Sequence, residues 1–278
     1  MRNSKFLIAI LFFVLTGCGK DIAPNHPGQT ASLMHGAKEN QHSNWTGVNS
    51  FDLGVIHFFQ NYSHKSIVAD DFFRFFTYNN FFQGGVLLMA FWWLWFLPGD
   101  QSEQERRSKI ILALFSSLVA IFIGRVVVHV TPERVRPFIN PQLSLVLPYG
   151  VQTDNVDHLS SFPSDHAVLF YSIVTGLFLV SKRIGIIALI YTSVFIILTR
   201  VYFCYHYATD VIVGGIVGFL TTYLICKNQW FQKIGREVYY FSKDNPQFFY
   251  PGFFLLSYQL ANLFEELRSA MAFFWQII

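Results

Sequence analysis

The sequence predicts an all-α protein, a polytopic bundle of membrane helices. Of its 278 residues, 53% are hydrophobic and 13% charged, where soluble domains carry about 25% charged residues. Mean hydropathy is +0.37. The apolar residues come in blocks near the roughly 20 residues that a helix needs to cross a bilayer. This composition excludes an ordinary soluble domain and a disordered chain. The formal charge of +3, with no continuous basic run, excludes a nucleic-acid reader. The expected partner is a lipid bilayer.

The elements follow in order. Residues 1–18 read as a secretory signal: Arg2 and Lys5, the apolar run Phe6–Leu15, then small residues before a cysteine. The Leu15-Thr16-Gly17-Cys18 ending resembles the bacterial lipobox, which makes Cys18 a candidate lipidation site. An uncleaved N-terminal anchor is the alternative. Residues 19–50 are polar and form a tether. Between 51 and 80, apolar pairs alternate with Asp70, Asp71 and Arg74, the pattern of amphipathic helices lying at a membrane surface. Spans are expected at about 81–98, 110–130, 167–181, 184–203 and 210–226. The membrane domain is 51–226, and 227–278 is an extension. An apolar block at 249–264 fits either a further span or an interfacial helix. Cys204 and Cys226, in or beside apolar blocks, read as small packing residues; three cysteines make no disulfide framework.

Orientation follows from the basic residues of short connections. Arg106, Arg107 and Lys109, then Lys182 and Arg183, then Lys227, Lys233 and Arg236 fall on one side by parity. That side is expected to be cytoplasmic. The long 131–166 connection and the 204–209 turn fall on the outer side.

The outer ends of the spans collect polar residues that are costly at membrane depth. Arg125, His129, Arg134 and Arg136 follow the second span. Spacings of four and seven put Arg125, His129 and Arg136 on one helical face until Pro132 disturbs it. Pro163-Ser164-Asp165-His166 marks a helix start, with Ser161 as a candidate cap, and free backbone N–H groups there suit an anion. Arg200 ends the fourth span. His206 and Asp210 stand four apart, where a carboxylate orients an imidazole and frees its other nitrogen to attack. Planar guanidinium groups bind phosphate oxygens in pairs of hydrogen bonds. A zinc site made by His166, His206 and Asp210 is chemically conceivable, but the surrounding arginines repel a metal and attract an anion.

These residues resemble the three-part pattern of the type 2 phosphatidic acid phosphatase (PAP2) superfamily, related in fold to the vanadium haloperoxidases. The family pattern is K-x6-R-P, P-S-G-H and S-R-x5-H-x3-D. Here it reads His129-x6-Arg136-Pro137, Pro163-Ser164-Asp165-His166 and Thr199-Arg200-x5-His206-x3-Asp210. His129 replaces lysine, Asp165 replaces glycine and Thr199 replaces serine. The second part looks most like the branch that acts on undecaprenyl diphosphate. The resemblance implies a membrane helix bundle of the PAP2/haloperoxidase type that hydrolyses a lipid phosphate without a metal or other cofactor. It implies His206 as nucleophile, Asp210 as its orienting group and His166 as acid and then base. Arg136, Arg200, Ser164, the backbone at Asp165, and His129 are the implied phosphate-binding groups. Other open readings are a phosphatase for phosphatidate, phosphatidylglycerol phosphate or lipid A, a lipid phosphotransferase, and a non-catalytic lipid-binding protein.

Overall fold

The computed structural model describes residues 48–98, 103–151, 160–267 and 270. Cys18, residues 1–18 and most of the 19–50 tether lie outside the described residues. Within them, all regular structure is helical. The helices are α1 Ser50–Gln60, α2 Ile67–Tyr78, α3 Phe81–Phe96, α4 Glu103–Val130, α5 Asp165–Val180, α6 Lys182–Tyr202, α7 Ala208–Lys227, α8 Gln229–Asp244 and α9 Pro246–Ala261. Helices α4, α6 and α7 are long and apolar enough to cross a membrane, and α3 and α5 are shorter apolar helices.

Helices α4, α5 and α7 form the centre, and small residues let them approach. A Cβ on Gly218 would sit 2.2 Å from the Val168 carbonyl oxygen, and one on Gly176 would sit 2.4 Å from the Ala113 Cβ. Close approach of this kind replaces the hydrophobic drive that lipid does not supply between helices. Where they meet, buried hydroxyls satisfy one another: Ser172 donates to Ser117 at 2.9 Å and pairs with Thr222 at 2.6 Å, and Ser116 donates to Thr222 at 3.1 Å. Leu169, Phe170, Ile173 and Leu177 of α5 pack fully buried along this seam.

The expected 99–109 connection is shorter, because α4 already begins at Glu103. Its first turn carries Glu103 and Glu105, and their pairs with Arg107 and Lys109, both at 2.6 Å, extend the helix. Arg106 is therefore a buried helical residue and not a loop cation. The block at 249–264 becomes α9, which runs antiparallel along α3. Gly84 faces Ala261 at one end, and Trp95 donates to the Tyr250 hydroxyl at 3.3 Å at the other. It occupies the depth of a span. Arg106, Lys109, Lys182, Arg183 and Lys227 gather around one groove at this end of the bundle, and the motif residues gather at the opposite end.

Helices α1 and α2 form as the amphipathic pattern predicts, capped by Asn49 and Ser66. Their charged residues divide. Asp71 and Arg74 pair at 2.9 Å on the exposed side. Asp70 instead is fully buried, accepting from the Tyr149 N–H at 2.9 Å, the His64 N–H at 3.2 Å and the Tyr202 hydroxyl. It is an internal anchor, because three donors from distant segments replace its water. Val68, Phe72 and Phe75 remain exposed on the outer face.

Candidate active site

Chain geometry at the ends of α6 and α4 brings the motif residues together. α6 stops when Cys204 turns left-handed at φ 59°. Both the Tyr205 and His206 N–H groups then donate back to the Arg200 carbonyl, at 3.0 and 3.3 Å. A left-handed non-glycine residue costs on the order of 1–2 kcal/mol and is notable where it aims a functional group. Here the turn projects His206 inward. The segment after α4 is pinned on both sides: the Ser161 N–H donates to the Arg134 carbonyl at 2.9 Å, and the Phe138 N–H donates to the Cys204 carbonyl at 3.0 Å. Arg136 thereby lies between the 160–161 and 205–206 segments.

Two sequence expectations change here. α4 ends at Val130, so Arg136 shares no helical face with Arg125 and His129. It reaches the site on extended backbone, because Pro132 and Pro137 prevent the helix from continuing. His206 likewise precedes the helix rather than opening it. α7 begins at Ala208, and Asp210, its third residue, accepts the Tyr207 N–H at 2.8 Å.

His206 is buried, with its Nδ1 2.8 Å from the Ser161 carbonyl. A carbonyl only accepts, so Nδ1 carries the hydrogen and Nε2 holds a lone pair in the neutral ring. That Nε2 faces Arg136 Nη1 at 3.4 Å. Arg136 also donates to the Tyr205 carbonyl at 3.0 Å and the Ser160 carbonyl at 3.5 Å. Burial, the largest influence, holds the His206 imidazole below its ordinary value of 6.5; Arg136 adds to it, and Asp210 and the Ser161 carbonyl oppose it. The same burial lowers the Arg136 guanidinium, against the charges of Asp165 and Asp210.

Asp210 stands 3.8 Å from His206 Nδ1, beyond hydrogen-bonding distance. It acts on the ring through its charge, and the Ser161 carbonyl orients the ring. The Asp210 carboxylate is held by the Tyr207 N–H and by Arg134 Nη1. Arg134 also donates to Thr209 Oγ1 at 2.8 Å and to Asp52 Oδ2 at 2.6 Å. Asp52, a buried residue of α1, went unmarked in the sequence, where only the neighbouring cap residue Asn49 stands out.

The remaining motif residues divide by role. Ser164, not Ser161, caps α5, with its hydroxyl accepting the Ala167 N–H at 3.5 Å; Pro163 lies before the cap, and its ring leaves Ser164 to take the cap conformation. Asp165 pairs with Arg125 at 2.6 Å, so Arg125 answers a carboxylate inside the site. Arg200 donates to the Thr77 carbonyl at 3.1 Å and Gln83 Oε1 at 2.9 Å. Its buried Nε has no partner among the described residues. His166 is half-buried at the head of α5, beside Phe170. His129 is exposed and turns Nδ1 back to the Arg125 carbonyl at 2.8 Å. Thr199 turns its hydroxyl into its own helix, toward the Ile196 carbonyl at 2.8 Å. Among the described residues, no three His, Cys, Asp or Glu side chains are grouped so as to hold a metal ion.

All three motif parts thus reach one end of the bundle, two of them meeting at Arg136 and His206. Residues 109–234 match the PAP2 superfamily. PAP2 superfamily members are phosphatases, and the match supports a membrane phosphatase in general. A curated relative, the bacitracin transport permease protein BcrC of Bacillus licheniformis, is 28% identical over 122 residues. That alignment covers 44% of this chain and 56% of the relative, so the chain spans about half the length of the protein it matches. No solved structure matches the chain. The PAP2 match contains α5, α6 and α7 entire and begins within α4; α1, α2 and α3 lie outside it.

Proposed function

We propose that the protein is a lipid phosphatase that removes the terminal phosphate of a polyprenyl diphosphate, with undecaprenyl diphosphate as the leading substrate, through a phosphohistidine on His206. One observation carries the reading: a buried imidazole with Nδ1 fixed by the Ser161 carbonyl presents Nε2 to the guanidinium of Arg136. In the proposed reaction, Nε2 attacks phosphorus and the bond to the leaving lipid phosphate oxygen breaks. His166 supplies the proton to that oxygen. It then takes a proton from the water that cleaves the phosphohistidine. Arg136 exchanges its weak neutral acceptors for phosphoryl oxygens, and the partnerless Nε of Arg200 is a further donor.

The lowered basicity of His206 supports this role, since a neutral ring at pH 7 is the nucleophilic form. His129 turns back onto its own helix, which supports a smaller part in phosphate binding than a lysine would take. In this reading the site lies at the outer face of the cytoplasmic membrane, where a lipid phosphate already sits. An impermeant thiol reagent should then label Gln142→Cys, an exposed position, without inner-membrane lysis.

Phosphate release by the purified protein tests the function across undecaprenyl diphosphate, phosphatidate, phosphatidylglycerol phosphate and lipid A. The expected result is fastest release from undecaprenyl diphosphate. Faster release from phosphatidate, phosphatidylglycerol phosphate or lipid A would reassign the substrate. No release from any of the four, by folded protein, would overturn the phosphatase reading.

A further inference from the structure

Behind Asp210 lies a buried group that the proposed chemistry does not use directly. Asp52, Arg134 and Asp210 are each at most 3% exposed. They come from α1, the α4–α5 connection and α7. Asp52 Oδ1 accepts the Thr209 N–H at 2.9 Å, and its Oδ2 accepts the Thr209 hydroxyl at 2.7 Å and Arg134 Nη2 at 2.6 Å. Arg134 Nη1 holds Asp210, and the guanidinium lies 4.0 Å over the Tyr207 ring. One guanidinium is therefore shared by two carboxylates. Its fork serves both at once, which an ammonium group cannot do.

We infer that Asp52 is a positioning residue for the reaction at His206, acting through Arg134 to fix the Asp210 carboxylate and to leave a net negative charge behind the imidazole. The inference rests on the phosphohistidine reading for its consequence, and on geometry alone for the contact. A buried ion network is a weak source of net stability. Its effect here is electrical and steric. With two carboxylates and one guanidinium, the cluster carries one uncompensated negative charge on the Nδ1 side of the ring. Attack on phosphorus makes the ring cationic, and that charge stabilises it. The fork also stops Asp210 from swinging to His206 and displacing the Ser161 carbonyl that sets the tautomer.

The groups facing His206 are Arg136 from the α4–α5 connection and Asp210 from α7. α5 brings Asp165, paired with Arg125, and His166 to the same end, and α6 brings Arg200. Only Asp52 reaches the cluster from outside the family-matched region.

The test uses full-length protein and the isosteric variant Asp52→Asn, which keeps an oxygen and removes the charge. Histidine-labelled protein is titrated by NMR, with His206→Gln assigning the signal. Loss of the negative charge should move the His206 midpoint to lower pH by roughly half a unit or more. The acid limb of phosphate release from undecaprenyl diphosphate should move with it. An unmoved midpoint in folded Asp52→Asn protein overturns the inference, whether or not the wild type releases phosphate. A moved midpoint with no phosphate release by the wild type overturns the function and leaves the positioning contact standing. If Asp52→Asn does not fold, Arg134→Lys keeps the charge but loses the fork. Its kcat should fall about 10-fold or more with KM nearly unchanged. A wild-type kcat in that variant also overturns the inference.

Discussion

Two sets of buried arginines stand at the same end of the bundle, and the protein occupies them differently. Arg134 makes short contacts to two carboxylates and a hydroxyl, at distances down to 2.6 Å. Arg136 and Arg200 make longer contacts to neutral acceptors: backbone carbonyls, an imidazole nitrogen and an amide oxygen, between 2.9 and 3.5 Å. Charge-assisted pairs are shorter and about twice as strong as neutral ones. An incoming phosphate therefore competes poorly for Arg134 and well for Arg136 and Arg200. The difference separates arginines that build the site from arginines that can bind in it, although the sequence offers both as the same residue type within three positions of each other.

The largest effect expected from breaking this distinction is at His206 itself. His206→Ala should reduce phosphate release to background while the purified variant keeps its elution profile and melting temperature. His166→Ala should lose about 10²–10⁴-fold, the range for a removed general acid or base. Arg136→Lys should lose about 10²–10³-fold in kcat, since an ammonium cannot reproduce the paired contacts. Steady-state rates of the folded variants check each of these. Asp52→Ala should act on the other set. It leaves Arg134 with one carboxylate and a cavity, and thermal or denaturant melting should show about 3–5 kcal/mol lost.

Smaller effects sharpen the comparison. Because burial holds His206 below 6.5, the ring stays neutral as pH falls through the ordinary imidazole range. Activity should persist there and fall only at lower pH; a pH–kcat/KM profile measures it. His129→Ala should change kcat/KM by less than about 10-fold, because its Nδ1 is committed to the Arg125 carbonyl. A loss as deep as that of Arg136→Lys would show that His129 binds phosphate as a lysine would.

Much of the bundle was legible from the sequence because apolar block length maps onto helix length. The spans at 167–181, 184–203 and 210–226 appear as Asp165–Val180, Lys182–Tyr202 and Ala208–Lys227. The beginning of α4 was not legible, since Glu103 to Lys109 look like a charged loop until their pairing four residues apart is seen. The role of α9 also needed three dimensions: 249–264 has the composition of either a span or a surface helix, and contact with α3 decides it. In the site, motif spacing located His206, Asp210 and Arg136. It suggested a direct His206–Asp210 contact that the fold replaces with the Ser161 carbonyl, because the helix begins two residues after His206. Asp52 was invisible for a different reason. A lone aspartate in a capped amphipathic helix has no local mark of burial, and its partners lie 82 and 157 residues away.

The most direct measurement is to catch the covalent intermediate. Wild-type protein is mixed with undecaprenyl diphosphate labelled in its terminal phosphate, quenched in base within one turnover, and digested for mass spectrometry. The account predicts an acid-labile, base-stable phosphate on the peptide containing His206, absent from His206→Ala. Rapid phosphate release with no label on His206, or label on another residue, would contradict it.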